Sequence, residues 1–568
     1  MTEAVIETSK AARHSGGLQR NLWAIIVVAV IASCSFQLWW FSRTCFKEID
    51  FDGVGYIGIA RHIRQGEFHA AINSIRSPLI SCLIAAGSFV SRDYLHAGKI
   101  VNIGSFLLAV VLLYVLTQSL WHSRLAAALA ALLFALGRSL AAEAVESITP
   151  DFLFAALALL YFFLLLRALR NNRLRDWFFV GAVHGIAFFA KAFALPWLAV
   201  CTVTALALSH WPKPGEWKPR IARLVLAALI PAVAATGWAA VLHSKYGVYT
   251  TGSQFRLNLL QWTLAASRVQ QDATYSVLTD TSRDYDDYVV LDMPPGSWMW
   301  TYHIDLRSAS PRIIRAEVRN VPTAVKELAI VETPGGLLAF LLALIVLARS
   351  RRANQAEWRF AVVSAVAAVS LVAAYSMLVV DSRYLYPLMA LIPALSAGFV
   401  TDEGDPGFRL WRRICLALVV IGVVFSMTYW ASPFRTLTRD FQLSCYDAGQ
   451  HLKAHPGSRI VSLGAGPFPG HGVGWEAGFK SAYFGERRLV ATMDSLPDSR
   501  QLSSLMTDIQ KSSPAAILVW GRPDNSRRSD LLQRLALLYP HSSTEKILDP
   551  ALGEVGVVVF PEAAGGGI

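Results

Sequence analysis

The sequence predicts a polytopic α-helical membrane protein of about eleven transmembrane helices, followed by a C-terminal α/β domain. Three observations carry this reading. Of the 568 residues, 54% are hydrophobic and only 16% charged, against roughly a quarter charged in a soluble globular protein. Apolar runs of about twenty residues, the length that crosses a bilayer, recur between residues 22 and 431. Past residue 435 the pattern changes to short strand-like runs alternating with amphipathic stretches, the signature of a small α/β unit.

The apolar runs lie near 22–42, 98–118, 124–141, 151–168, 177–190, 193–209, 221–243, 334–348, 358–379, 384–400 and 411–431. The first follows a polar stretch with Lys10, Arg13 and Arg20. It is too long for a signal-peptide core and has no small-residue cleavage site, so it is expected to remain as the first span. Basic clusters separate later runs: Arg167, Arg170, Arg173 and Arg175; Lys213, Lys218, Arg220 and Arg223; Arg349, Arg351, Arg352 and Arg359; and Arg409, Arg412 and Arg413. Counted through the spans, all four fall on the side of the N-terminus, which the positive-inside rule makes the cytoplasm. The same clustering accounts for the net charge of +12 without nucleic acid.

That count holds only if 78–91 (PLISCLIAAGSFVS) is an interfacial or re-entrant helix, as its length of about fourteen residues favours. The expected organisation is a transmembrane domain over 1–434 with outward loops 43–97 and 244–333, and an extracytoplasmic domain over 435–568, in a plasma (inner) membrane. In that domain RIVSLG (459–464), AAILVWG (515–521) and VGVVVF (555–560) read as strands, and 444–454, 499–511 and 529–538 as helices. Gly464-Ala465-Gly466 follows a strand, but Pro467 and Pro469 come at once, and a nucleotide-binding turn is set aside. The six cysteines show no CxxC spacing and indicate no disulfide framework.

The chemistry gathers at the outward ends of the spans. Glu48, Asp50 and Asp52 are three acids within five residues, before a helical pattern whose apolar face is Tyr56, Ile59, Ala60 and Ile63. Asp52 alone would serve as a helix N-cap. Two carboxylates held together also shift each other's pKa, and one can act as a general base. The Asp50-Phe51-Asp52 run is formally a DxD, a weak pointer to a divalent metal. Arg76, with Ser77 and Pro78, stands where a cation can meet a lipid-borne phosphate or simply anchor at the interface. Asp151 opens the fourth span after Pro150, with Glu143 and Glu146 nearby, and ionisable residues at such depth are functional candidates. Lys191 lies between two short spans and needs an anionic partner. Arg383 sits beside Asp381, Tyr384 and Tyr386, and Asp381 can pair with it. Under a topology chosen from other residues, Asp50, Asp52, Arg76, Asp151, Lys191 and Arg383 all face one side.

At these residues the chain resembles the GT-C superfamily of membrane glycosyltransferases, most closely the protein O-mannosyltransferase and lipid A aminoarabinose transferase groups. The resemblance rests on Asp52, Tyr56, Ala60-Arg61 and Gly66-Glu67-Phe68 in the first loop, then Arg76 and Pro78. It continues with Asp151, with HGIAFFAK ending at Lys191, and with Arg383-Tyr384 before Pro387. It covers roughly residues 20–400. Two departures stand out: Gly53 where the family often has a second acid, and Arg76 where Lys is common. The resemblance implies a polyprenyl-phosphate sugar as donor, inversion at the sugar carbon and Asp52 as general base, with Asp50 as the alternative. It implies Arg76, Lys191 and Arg383 around the donor phosphate, and Tyr56, Asp151 and Tyr384 as further substrate-binding residues. No catalytic metal or other cofactor is expected. A lipid-linked sugar transporter is disfavoured because the charges gather at one face rather than through the spans. A non-catalytic assembly protein acting through 435–568 is the other alternative.

Overall fold

The computed structural model describes residues 2–91, 93–137, 140–209, 217–264, 276–277, 304–349, 355–378, 380–401, 406–428, 433–454, 459–464, 473–486, 488–493, 514–520, 526–549 and 553–559. Helix α1 runs over Thr2–Thr44, and α2 (Phe51–Gln65), α3 (Phe68–Ala71) and α4 (Leu79–Ser91) occupy the first loop. The membrane part continues with α5 (Tyr94–Trp121), α6 (Arg124–Ala135), α7 (Leu140–Glu146), α8 (Asp151–Asn171), α9 (Leu174–Ala190), α10 (Ala194–Ser209) and α11 (Trp217–Tyr246). After α12 (Gln254–Asn258) come α13 (Leu306–Arg349), α14 (Gln355–Ser376), α15 (Tyr386–Thr401) and α16 (Arg409–Thr428).

Over its described residues every apolar run read from the sequence is mainly helical, but not every one is long enough to cross. Among the described residues six helices qualify by length and composition, rising to eight if two bent pairs each count as one span. The expected eleven is therefore not carried by the helices themselves: α9 has 17 residues and α10 has 16, where about twenty make a perpendicular crossing. One bent pair joins α6 to α7 at 53°, and the other lies within α13, at 103°. The α13 break falls at Thr333, whose φ of 65° no helix contains and whose Oγ1 accepts the Gly336 N–H. Helix α4, at 13 residues, is shorter than α9 and α10 and leaves Phe89 and Val90 exposed.

Burial sorts the helices by place. In α1 the span Asn21–Thr44 is almost wholly exposed, with Ile25, Val28, Ile31 and Phe36 outward and Trp39 and Trp40 at its end. That is the pattern of a lipid-facing helix with an aromatic interfacial belt. In α8 and α15 most of the span is buried. Between them Phe106, Phe134, Phe152 and Tyr386 form a chain of ring contacts 4.7–5.9 Å apart. Trp121 lies flat on Gly398, where a Cβ would come within 2.1 Å of its indole nitrogen, and that nitrogen donates to the Ala394 carbonyl.

Two polar side chains of α5 fix the loops that carry the acids. The Lys99 ammonium donates to the carbonyls of Cys45 (3.1 Å), Glu48 (2.7 Å) and Val145 (2.6 Å). The Asn102 amide donates to the carbonyls of Ala144 and Ser147. These carbonyls lie in the last turn of α7 or just past the ends of α1 and α7, where a helix leaves C=O groups without an i+4 partner, and a buried one left unpaired costs about 1–3 kcal/mol. The residues just before Asp50 and Asp151 are thereby held to one helix.

Past α17 (Pro433–Lys453) the chain forms β2 (Arg459–Leu463), α18 (Val473–Gly485), β3 (Arg488–Met493), β4 (Ala516–Val519), α19 (Ser526–Leu538), β5 (Ser543–Asp549) and β6 (Gly553–Val559). All three strands expected from the sequence are present, with β3 and β5 in addition. The expected helix at 499–511 and the turn after Gly464 lie outside the described residues. The sheet order is β1-β3-β2-β4-β6-β5, with β3, β2 and β4 parallel. Its edge strand β1 (Ser276–Val277) comes from the long loop before α13 and pairs antiparallel with β3. Among the described residues no disulfide joins any of the six cysteines.

Helices α9 and α11 pack through glycine. A Cβ at Gly181 would come 2.7 Å from the Leu226 and Ala227 carbonyl oxygens, backbone that has nowhere to go, whereas at Gly104 it would meet nothing within 4 Å. Small residues are what let membrane helices approach this closely. Gly181→Val is expected to lower the Tm of the purified protein, by the equivalent of roughly 1–3 kcal/mol of overpacking. Gly104→Ala is expected to hold or raise it. Equal Tm for the two variants would contradict this packing.

Candidate active site

The first loop places its acids by the way α2 begins. The helix starts at Phe51, so Asp52 lies in its first turn and is not the N-cap; that position is taken by Asp50, whose side chain makes no capping bond. The Asp50 Oδ1 instead accepts the Ile148 N–H at 2.7 Å, tying this loop to the one before α8. Gly53 makes this possible, because a Cβ there would stand 2.6 Å from Asp50 Oδ1. A second acid directly after Asp52 would collide with Asp50, which accounts for the departure seen in the sequence.

Asp52 is held between two guanidinium groups. Arg76 Nη2 donates to Oδ1 at 3.1 Å and Arg383 Nη1 reaches Oδ2 at 3.0 Å. Arg76 is 3% exposed and lies against α2 at Gly55, where a Cβ would come 2.6 Å from its Nε and Cζ. Its backbone is set by a turn in which Asn73 Oδ1 accepts the N–H groups of both Ile75 and Arg76. Arg383 lies in a short 3-10 turn (Ser382–Leu385) before α15, and its Nε also pairs with Asp381 at 3.0 Å. The Asp381 pairing read as an alternative for Arg383 is therefore real, but it leaves Nη1 directed at Asp52.

The second acid–cation pair lies beside the first. Asp151 opens α8 and is 3% exposed; its carboxylate accepts from the ammonium of Lys191, the residue that ends α9. Lys191 lies over the Tyr384 ring at 4.4 Å, and Tyr384 stacks on Tyr375 with ring centroids 4.8 Å apart. A cavity of about 250 Å³ opens between these groups. Asp52, Tyr56, Arg76, Asp151, Lys191, Arg383 and Tyr384 all line it. The structure thus brings seven of the eight candidate residues to one cavity, and leaves Asp50 behind its wall, 3.9 Å from Arg383.

Glu48, Glu143 and Glu146 do not line the cavity. Glu48 and Glu146 gather instead around Cys45, three groups whose ligand atoms lie within 4.8 Å of one another. The sequence reading missed Tyr375, Asn73, Ser74, Gln254 and Asn258, which complete the wall. Isolated polar or aromatic residues at these positions carry no motif; only the fold gathers them.

The two first-loop acids are pushed in opposite directions. Burial first, and then the charge of Asp52, raise the Asp50 carboxyl above its ordinary value, against the opposing effects of Arg383, the Ile148 N–H and Lys480. Burial alone would raise Asp52 as well, but Arg383 and Arg76 outweigh it and hold that carboxyl below its ordinary value. This is the pattern of a coupled acid pair with cations on one member. Asp52 offers no oxygen clear of a guanidinium, and Asp50 commits one to a backbone amide, so the pair is a poor fit to a divalent cation.

Comparison with known proteins agrees with this architecture. Residues 75–238 match the family model described as dolichyl-phosphate-mannose-protein mannosyltransferase. No curated protein sequence matches the chain. Among solved structures, ArnT from Cupriavidus metallidurans in the apo state aligns with a TM-score of 0.54 at 14% identity, over 96% of this chain and 99% of that one. The same protein bound to undecaprenyl phosphate aligns with a TM-score of 0.52 at 14% identity, over 95% and 99%. The Archaeoglobus fulgidus oligosaccharyltransferase in the apo form gives 0.51 at 11% identity, over 86% of this chain and 69% of that one. The chain is an integral membrane protein with the fold of the GT-C glycosyltransferases.

Proposed function

We propose that the protein is an inverting glycosyltransferase that moves a monosaccharide from a polyprenyl-phosphate donor to an acceptor outside the cytoplasm. The observation that carries this reading is one cavity in which two carboxylates, Asp52 and Asp151, meet three cations, Arg76, Lys191 and Arg383. Three cations against the carboxylates of Asp52 and Asp151 leave the lining short of negative charge, as a phosphate site requires. The structural relative bound to undecaprenyl phosphate supports a lipid-linked donor here.

In this reading the acceptor oxygen or nitrogen attacks the anomeric carbon from the face opposite the phosphate. The bond from that carbon to the phosphate oxygen breaks, the electron pair stays on the phosphate, and the acceptor proton passes to Asp52. One displacement inverts the sugar carbon. The leaving phosphate gains a full negative charge, and cations already fixed around it stabilise that charge without rearranging. Arg76 and Arg383 both bind Asp52 and make it a weak base. A phosphate arriving at these cations competes for them and returns basicity to Asp52 as the reactants meet. Asp52, rather than Asp50, is the base because it lines the cavity and Asp50 does not. The pairing of both Asp52 oxygens argues for transfer without a divalent metal.

The basic clusters support a cytoplasmic N-terminus, an outward-facing site and an inner-membrane location. We read residues 1–434 as the catalytic membrane domain and 435–568 as an extracytoplasmic domain placed to receive the acceptor.

The first test is release of polyprenyl phosphate from a panel of labelled polyprenyl-phosphate sugars by wild-type membranes. Asp52→Asn is expected to lower transfer by at least 10²-fold, the scale of a lost general base, with the protein still folded. Normal turnover in that variant would remove Asp52 as the base. Arg76→Ala is expected to raise the donor KM about tenfold or more, the loss of one charge-assisted contact; an unchanged KM would return Arg76 to an anchoring role.

The ion pairs also fix a pH dependence. A base works only when deprotonated, so activity falls as pH falls through its pKa. With Asp52 held below its ordinary value, kcat/KM of the wild type is expected to be free of an Asp52 acid limb above about pH 4. Arg383→Gln removes the largest opposing cation, burial then prevails, and the acid limb is expected to move to higher pH. A limb that stays in place would show that Arg383 does not set the state of Asp52.

A further inference from the structure

Two polar groups in the cavity wall serve no hydrogen bond within the described fold. The first is one end of the Asn73 amide. Its Oδ1 accepts the N–H groups of Ile75 at 2.9 Å and Arg76 at 2.8 Å. Only an oxygen can accept both, so the amide cannot be turned round and its NH2 end is fixed on the other side. That nitrogen, Nδ2, is buried and has no hydrogen-bond partner among the described residues. The second is the Tyr375 hydroxyl of α14. The Tyr375 ring is held by Tyr384 and by Phe193, each with centroids 4.8 Å away. Its hydroxyl is buried and has no hydrogen-bond partner among the described residues. Both residues line the cavity.

Neither group is needed for what its residue does in the fold. An aspartate at position 73 would accept the same two N–H groups and leave no donor over. A phenylalanine at position 375 would make the same ring contacts without a hydroxyl. Buried polar groups are nearly always paired, so two left over on one cavity call for a ligand that pairs them.

The surroundings say what kind of ligand. Ser74 is joined to Ser253 through the two hydroxyls at 2.8 Å and through the backbone at 2.6 Å. That joint brings Thr251, Gln254 and Asn258 into the wall beside Asn73, and all of these groups are uncharged. An amide NH2 gives two hydrogens to oxygen, and a phenol gives one and accepts from others. Sugar hydroxyls give and accept alike and carry no charge, so they match such a set where a phosphate does not. Position agrees with chemistry, because Asn73 and Arg76 share one turn and the group bonded directly to a phosphate at Arg76 is the sugar. We propose that Asn73 and Tyr375 are sugar-recognition residues, each bonding a hydroxyl of the donor's monosaccharide and together setting which sugars are accepted. This assignment rests on the glycosyltransferase reading. A site built to hydrogen-bond a hydroxyl rejects the analogue without it, because its own polar groups are then left unpaired.

The test uses full-length protein with Asn73→Ser and Tyr375→Phe. Serine keeps a hydroxyl that can accept in the turn but removes the NH2 end. Phenylalanine keeps the ring and removes only the hydroxyl. Two ligands are compared without acceptor: polyprenyl phosphate, and the labelled polyprenyl-phosphate sugar that wild type turns over fastest. Each raises Tm by an amount that reports its binding. Both variants are expected to keep the wild-type shift with polyprenyl phosphate and to show a smaller shift than wild type with the sugar-bearing donor. In the transfer assay each is expected to lose about tenfold in kcat/KM, the scale of one hydrogen bond. Free of ligand, Tyr375→Phe is expected to hold or raise its Tm, since it deletes an unpaired buried hydroxyl. Donors lacking one sugar hydroxyl at a time then identify each contact. One of them is expected to cost wild type about tenfold and Asn73→Ser nothing further, and another to do the same for Tyr375→Phe.

For either residue the proposal is overturned if its variant matches wild type in kcat/KM. It is equally overturned if the polyprenyl phosphate shift falls together with the donor's, which would make the residue part of the turn or of the phosphate site. A series of deoxy donors whose every loss adds in full to the variant's own would overturn it too. If sugar is transferred while these tests fail, the glycosyltransferase reading stands without this assignment. If wild type transfers sugar from no donor, that reading falls and the assignment falls with it.

Discussion

A carboxylate withdrawn from water at a membrane boundary is costly to keep ionised unless cations stand against it, and Asp52 draws two. At about 4 Å and an effective dielectric of 20, each such contact is worth about 4 kcal/mol before desolvation is subtracted. Guanidinium groups have rigid geometry, so the pairs hold only if every backbone that supplies them is fixed. Much of the local structure serves that end. Lys99 and Asn102 hold the loops before Asp50 and before Asp151 to α5. Asn73 shapes the turn that presents Arg76, and Gly55 clears the space its guanidinium fills. The 3-10 turn at Ser382–Leu385, capped by Asp381, presents Arg383.

The helices were legible because lipid imposes a simple rule: an apolar run must satisfy its own backbone. Over their described residues the eleven runs are mainly helical for that reason, whereas their number as crossings depends on bends at Thr333 and between α6 and α7 that hydropathy does not record. The site was legible for a related reason. Charge at membrane depth is rare, so Arg76, Asp151, Lys191 and Arg383 stood out against their surroundings, and the structure gathers them at one cavity. The division of labour between Asp50 and Asp52 was not legible. It turns on where α2 begins, within one residue, and on Gly53 leaving room for Asp50 to reach the Ile148 amide.

What escaped the sequence has a common cause. Tyr483 and the edge strand at Ser276–Val277 lie in parts of the chain that soluble-protein patterns describe, where a tyrosine or a two-residue strand is unremarked. Each acquires meaning only from a partner more than two hundred residues away: Arg61 for Tyr483 and Thr492 for Ser276. Together they tie both the first loop and the long loop to the C-terminal sheet. A boundary at residue 434 therefore divides the chain by composition but not by contact.

The arrangement also bears on how a transferase would avoid wasting its donor on water. A base that stood free in an open cavity would activate any hydroxyl that entered, water included. Asp52, bound by Arg76 and Arg383, is a poor proton acceptor until something else claims those cations. A phosphate is the ligand suited to do so, because it matches a guanidinium fork as well as a carboxylate does. The base would then become competent only where a donor phosphate is already seated and a sugar carbon stands beside it. On this argument the ion pairs that Arg76 and Arg383 make with Asp52 are a lock on the base that a seated phosphate releases.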